Sequence, residues 1–201
     1  MIISKDFVEI EDFLPLDQQQ QLIQYFTHPS FPWAMTLDAV DGVTSNTRIN
    51  QSDAIGFYHG IMYNGKQCSD DCYLDATKWI IEKLPESTFN RIKIDKLERI
   101  RVAVFTRHPD LTPHRPHLDA KHEHWTAIYY VNDCDGDLLV YNETQFEVED
   151  HQISTAQFTL KHRVKPAQGK LVAFNGKHYH SSSYPTQTPL RLAITFNFTV
   201  L

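Results

Sequence analysis

The sequence predicts a mainly β fold with flanking α-helices, of the sandwich or barrel kind, and a jelly roll fits it best. Three observations carry this. From residue 94 onward, apolar and polar residues alternate at period two in short runs, the signature of half-buried strands. Each run is bounded by Pro, Gly, Asn or Asp, which close strands with turns. Helix-period stretches fall only in the N-terminal part. A length of 201 residues suits one domain with a core of its own. We divide residues 1–201 into a helical and irregular N-terminal region, 1–94, and a jelly-roll core, 95–201.

The elements follow in order. Leu16, Gln20-Gln21, Leu22-Ile23 and Phe26 fit a short amphipathic helix that Pro29 stops. Residues 28–68 are turn-rich and aromatic without a clean period, and read as irregular with short strands. A second helix is expected from about Asp70 to Leu84, with Trp79-Ile80-Ile81 and Leu84 inward and Pro85 ending it. Strands are then expected at Leu97–Phe105, Trp125–Val131, Asp137–Tyr141, Gln157–Val164, Lys170–Phe174, Tyr179–Ser182 and Arg191–Val200. Seven or eight short strands in about 100 residues match jelly-roll spacing. The helices should pack on one outer face of a sheet.

Composition narrows the function. A formal net charge of -6 gives no overall pull toward nucleic acid or an anionic membrane. Cys68, Cys72 and Cys134 form no even, paired framework, so they read as ordinary thiols in a reducing compartment. The first residues lack a signal peptide's basic start and apolar stretch, and no apolar run nears the ~20 residues of a membrane span. A soluble, cytoplasmic protein is expected.

Two separated stretches carry chemistry. His117-Leu118-Asp119 places an imidazole and a carboxylate at i and i+2, on one face if the segment is a strand. His180, on a later predicted strand, supplies a third ligand. Two imidazoles and one carboxylate fill one face of a metal's coordination sphere and leave the other open, which suits mononuclear non-haem Fe(II). His178 lies two residues before His180 and competes with it. His180 is nearer the strand centre, whereas His178 follows the Asn175-Gly176 turn. His108, His114, His122 and His124 crowd the same region and read as a solvated loop cluster.

Arg191 opens the most apolar strand, where a guanidinium is costly unless paired. Its planar fork suits a carboxylate, such as the far carboxylate of 2-oxoglutarate chelated to the metal by its 2-oxo acid end. On Thr126–Asn132, Thr126, Ile128 and Tyr130 share one face, and Ala127, Tyr129 and Val131 the other. The first face suits a pocket for that cosubstrate. Tyr129 reads as core, and Arg99 and Arg101 as surface charges.

These residues resemble the 2-oxoglutarate- and Fe(II)-dependent dioxygenases of the double-stranded β-helix (jelly-roll, cupin-like) fold. The likeness is greatest to the prolyl-hydroxylase-like branch, which includes small oxygenases of phages and bacteria. It spans about residues 95–200. His117-Leu-Asp119 matches the His-x-Asp element. Thr126-Ala-Ile-Tyr-Tyr-Val-Asn132 is similar to a strand of the oxygen-sensing prolyl hydroxylases. Gly169-Lys-Leu-Val-Ala-Phe174 with His180 resembles the strands leading to the distal His, and Arg191-Leu-Ala-Ile-Thr195 the cosubstrate-gripping element. Asp135-Gly-Asp137 departs from the usual Gly-Gly.

The resemblance implies iron held by His117, Asp119 and His180. It implies 2-oxoglutarate bound by Arg191 and Tyr130, with Thr126 lining the pocket and ascorbate as reductant. The implied reaction consumes O₂, hydroxylates a C–H bond of a protein, peptide or amino-acid side chain, and releases succinate and CO₂. Two alternatives stand beside it. A nucleic-acid demethylase of the same superfamily would carry a further Arg six positions after Arg191, where this chain has Asn197. The other is a catalytically silent, metal-binding jelly roll. Trp33, Tyr58 and Tyr63 are either substrate contacts or packing residues.

Overall fold

A computed structural model of the chain describes residues 2–36, 55–88, 93–109, 113–148, 153 and 156–201. Among them, β1 (Ile2–Ile3), β2 (Phe7–Ile10), α1 (Leu16–Phe26), β3 (Ala34–Thr36), β4 (Gly56–Tyr63), β5 (Lys66–Gln67) and α2 (Asp71–Thr88) form the N-terminal part. They precede β6 (Ile94–Thr106), β7 (Trp125–Tyr130), β8 (Leu138–Thr144), β9 (Leu160–Val164), β10 (Leu171–Asn175), β11 (His178–Ser182) and β12 (Leu190–Val200). The larger sheet runs β1-β2-β10-β7-β12-β6-β4-β3, with β5 on β4, and the smaller runs β11-β8-β9. All pairings between these strands are antiparallel.

Alternation along the strands sorts the core. Ile100, Val102, Ala127, Tyr129, Leu171, Ala173, Ile194 and Phe196 form one buried cluster with Leu22 and Phe26 of α1 and Ile80 and Leu84 of α2. The helices thus cover the outer face of the larger sheet, as expected. The alternate residues Ile128, Tyr130, Val172, Phe174 and Ala193 meet Leu138, Val140 and Val164 of the smaller sheet. That second cluster fills the jelly-roll interior.

Two local expectations are corrected. Pro85 does not end α2, which runs through it to Thr88. Proline disfavours helical geometry at the preceding residue, but that residue, Leu84, is 1% exposed in the core, and packing holds it helical. Residues 56–63, in the stretch expected to be irregular with short strands, form one eight-residue strand, β4, hydrogen-bonded to β6. The rest of the turn-rich stretch, 37–54, lies outside the described residues.

Candidate active site

The site grows from the cross-strand register of three central strands. Thr126 of β7 pairs with Asn197 of β12, and Asn197 pairs with Arg99 of β6. One rung of the sheet therefore presents a hydroxyl, an amide and a guanidinium side by side. All three donate to Asp119. Arg99 Nη2 reaches Oδ1 at 2.8 Å, while Thr126 Oγ1 and Asn197 Nδ2 reach Oδ2 at 3.0 and 2.9 Å. Asn197 Nδ2 is also 2.9 Å from Thr126 Oγ1. Burial works to raise the Asp119 pKa. Arg99, His180, His117 and the Asn197 hydrogen bond overcome it and hold the carboxyl well below the usual carboxylate range.

Asp119 is not on a regular strand, so the same-face argument for a strand does not apply to it. It sits in a bend, and His117 forms a single antiparallel bridge with His180. Backbone N–H···O bonds of 3.0 Å run both ways between the two histidines. That bridge brings their rings to 4.4 Å between centroids. One potential ligand atom from each of His117, Asp119 and His180 lies within 4.8 Å of the others. His117 Nδ1 is 3.3 Å from the Arg115 carbonyl. Donating there, it leaves the Nε2 lone pair free for a metal, the usual arrangement for a ligating imidazole. Burial and the neighbouring His180 push His117 down to about 3, and burial lowers His180 as well. Both imidazoles are neutral at neutral pH, as metal binding requires. The donor set and its open side fit an Fe(II) centre.

His178 goes elsewhere. A bulge between His178 and His180 breaks the same-face relation that spacing predicts. The His178 ring instead meets Lys161 Nζ at 3.0 Å, Asp6 at 3.4 Å and the Asn142 carbonyl at 3.2 Å.

Two cavities meet at Asp119 and Arg101. The smaller, about 50 Å³, runs inside the jelly roll from His117, Asp119 and His180 to Arg191. Its floor is ordered by register: Thr195 opposite Arg101, Ala193 opposite Ala103, then Arg191 opposite Phe105. The two alanines leave space between the ends. Arg191 is 5% exposed, and its Nε donates to the Gly136 carbonyl at 3.2 Å. Its guanidinium lies 5.3 Å from the Tyr130 ring centroid. Among the described residues no carboxylate lies within ion-pair distance of Arg191. The buried Tyr130 hydroxyl lies beside the Arg191 guanidinium and has no acceptor for its proton among the described residues. A desolvated cation beside a donor that lacks an acceptor suits an anion.

The larger cleft, about 630 Å³, opens on the other side of Asp119. Tyr58, Met62 and Tyr63 line it with Arg99 and Arg101. Trp33 is not in that wall and packs on Phe31, ring centroids 4.6 Å apart.

A model of the 2OG-Fe(II) oxygenase superfamily (2OG, 2-oxoglutarate) matches residues 98–199. The chain belongs to this superfamily. Solved structures bear out the superfamily's double-stranded β-helix fold. A Pseudomonas putida prolyl-4-hydroxylase is 17% identical with a TM-score of 0.58, over 96% of this chain and 91% of that one. A Trichoplax adhaerens prolyl hydroxylase, solved with a hypoxia-inducible-factor peptide fragment, is 16% identical with a TM-score of 0.61, over 97% and 84%. The 2OG-dependent epimerase SnoN of nogalamycin biosynthesis is 13% identical with a TM-score of 0.61, over 97% and 79%. No curated protein matches the sequence.

Arg99 and Arg101 are site residues, not surface charges. Arg99 holds Asp119, while Arg101 lines both cavities, where burial and Arg99 lower its pKa to about 10. Thr126 does not line the Arg191 cavity, because its hydroxyl is spent on Asp119. Tyr129 is core, as expected, against Phe13. Two of the four loop histidines, His114 and His124, are buried at 3% exposure each. Asn197 was legible as a polar residue inside the most apolar strand, although its partner was not. Among the described residues no helix is long and apolar enough to cross a membrane.

Proposed function

We propose that this oxygenase is a hydroxylase of a C–H bond in a protein, peptide or amino-acid side chain, with a prolyl residue the leading candidate. In this reading His117, Asp119 and His180 hold Fe(II), and Arg191 and Tyr130 hold the far carboxylate of 2OG. Residues 1–94 act with the core as one unit and shape the substrate cleft. The observation that carries the reading is the inner cavity. It joins three clustered ligand atoms at one end to a desolvated guanidinium at the other, which suits a dianion with a chelating head and a second charge.

With iron and 2OG in place, the site would supply an O₂-derived oxidant, with succinate and CO₂ as co-products. The protein's own part is placement. Arg99, Thr126 and Asn197 fix the Asp119 carboxylate. The His117–His180 bridge fixes the imidazoles. Phe174 packs edge-on against the His180 ring, 5.0 Å between centroids, and Ile128 gives the inner cavity an apolar wall. The wider cleft meets the metal end at Asp119, so a substrate lying along Tyr58 and Met62 would present its C–H bond from the side opposite Arg191.

The test is turnover with Fe(II), 2OG, O₂ and ascorbate against pools of peptides, free amino acids and nucleotides. A hydroxylase yields succinate and a product heavier by one oxygen. A product of unchanged mass would favour epimerisation, and stimulation by nucleotides alone would favour a demethylase. Absence of succinate, together with absence of a visible charge-transfer band on anaerobic addition of Fe(II) and 2OG, would refute the oxygenase reading.

A further inference from the structure

His114 lies in the wall of the inner cavity that holds Arg191. Its backbone N–H donates to the Ser182 carbonyl at 2.8 Å, tying the segment before His117 to β11. Its ring is set between Phe105, at 4.9 Å, and Tyr184, at 4.5 Å between centroids. These contacts fix its orientation. The Ser182 hydroxyl is 3.4 Å from Nδ1; donating there, it leaves the imidazole proton on Nε2. Nε2 is buried and has no partner. Burial, with Arg191 second, lowers the His114 pKa to about 4, so at neutral pH the ring is an uncharged N–H donor near a cation.

A buried donor without an acceptor costs about 1–3 kcal/mol, and native structures leave few of them. Here two donors without an acceptor, His114 Nε2 and the Tyr130 hydroxyl, lie near one buried guanidinium, and a carboxylate paired with Arg191 would answer them. We propose that His114 is a third donor to the cosubstrate's far carboxylate, giving Nε2–H to the group that Arg191 pairs with. This rests on the assignment of Arg191 as the cosubstrate anchor. It makes His114 a specificity residue. A 2-oxo acid without the far carboxylate leaves Nε2, the Tyr130 hydroxyl and the Arg191 charge unanswered in a desolvated pocket, the situation that gives strong discrimination.

The experiment compares 2OG with 2-oxopentanoate, which has the same chelating end and no far carboxylate. Dissociation constants are measured by anaerobic visible titration of Fe(II)-loaded protein, without turnover. His114→Phe keeps the ring contacts and deletes Nε2. It should weaken 2OG binding by about 10- to 100-fold and leave 2-oxopentanoate unchanged. His114→Gln, whose amide reaches about as far as Nε2, should recover part of the loss. An unchanged 2OG to 2-oxopentanoate ratio in both variants, whether affinities stay or fall together, assigns His114 to packing and overturns the proposal. Failure of wild-type protein to bind 2OG overturns the Arg191 assignment, and the role of His114 with it.

Discussion

Asn197→Leu tests whether the rung beneath Asp119 matters for metal binding. Asn197 is 3% exposed and gives 2.9 Å bonds to Asp119 Oδ2 and Thr126 Oγ1. A bond to a charged acceptor is worth about 1.5–3 kcal/mol and one between neutral groups about 1 kcal/mol. Leucine is close in volume, so little cavity term is added. Asp119 keeps Arg99 and Thr126, so the carboxylate stays in place but loses one of three restraints. Partners of metal ligands typically govern affinity by about 10- to 100-fold, and about 2 kcal/mol, or ~30-fold, is the expected loss. The assay is anaerobic Fe(II) titration by calorimetry, paired with urea unfolding of the metal-free protein. Affinity within two-fold of wild type, with only stability reduced, would refute the claim that this rung orders the metal site.

Further outcomes are expected. Arg191→Met should weaken 2OG binding by about 100-fold, from roughly 3 kcal/mol for a two-point charged pair, while Fe(II) binding survives; equal loss of both in the same titrations would make Arg191 structural. His180→Ala should abolish Fe(II) binding, and His178→Ala should leave it within a few-fold, because His178 is bonded to Lys161 and Asp6; the reverse pattern would exchange their roles. The metal-free protein should lose stability on acidification. His114 and His117 have folded pKa values of about 4 and 3, below the ordinary 6.5. The unfolded chain therefore gains protons from about pH 6.5 downward that the folded chain refuses, and the stability present above pH 6.5 falls until the folded groups titrate. His114→Phe should remove up to about 3 kcal/mol of that dependence, read from urea midpoints between pH 7.5 and 4.5, and an unchanged slope would count against a neutral buried His114.

The jelly roll was legible because its strands alternate cleanly and are punctuated by turn residues, so β6 to β12 lie near their predicted positions. His117, Asp119 and His180 were legible as a motif, and the structure gathers them. What the sequence could not show is set by register. Arg99, Thr126 and Asn197 are far apart in the chain and meet only because β6, β12 and β7 align them in one rung. Thr126 looked like a pocket residue because its face is shared with Ile128 and Tyr130, and facing alone does not say which neighbour captures a hydroxyl. His178 and His180 shared a face by spacing, with only their place along the strand to favour His180, and a bulge turns them apart. β4 was read only as part of an irregular stretch with short strands, because Gly56–Tyr63 shows no clean alternation and its partner β6 lies about 40 residues away.

The larger sheet has a further property in its edges. Without the N-terminal strands, β10 and β6 would each present an open row of backbone donors and acceptors. β2 covers the first and β4 the second. A fragment starting at residue 95 would therefore carry two exposed edges and be prone to self-association, however complete its iron ligands. β4 also lines the cleft through Tyr58, Gly60 and Met62. One strand both covers the β6 edge and lines the cleft beside Asp119. Substitutions at Tyr58 or Met62 would alter the cleft wall and leave the backbone pairing with β6 intact.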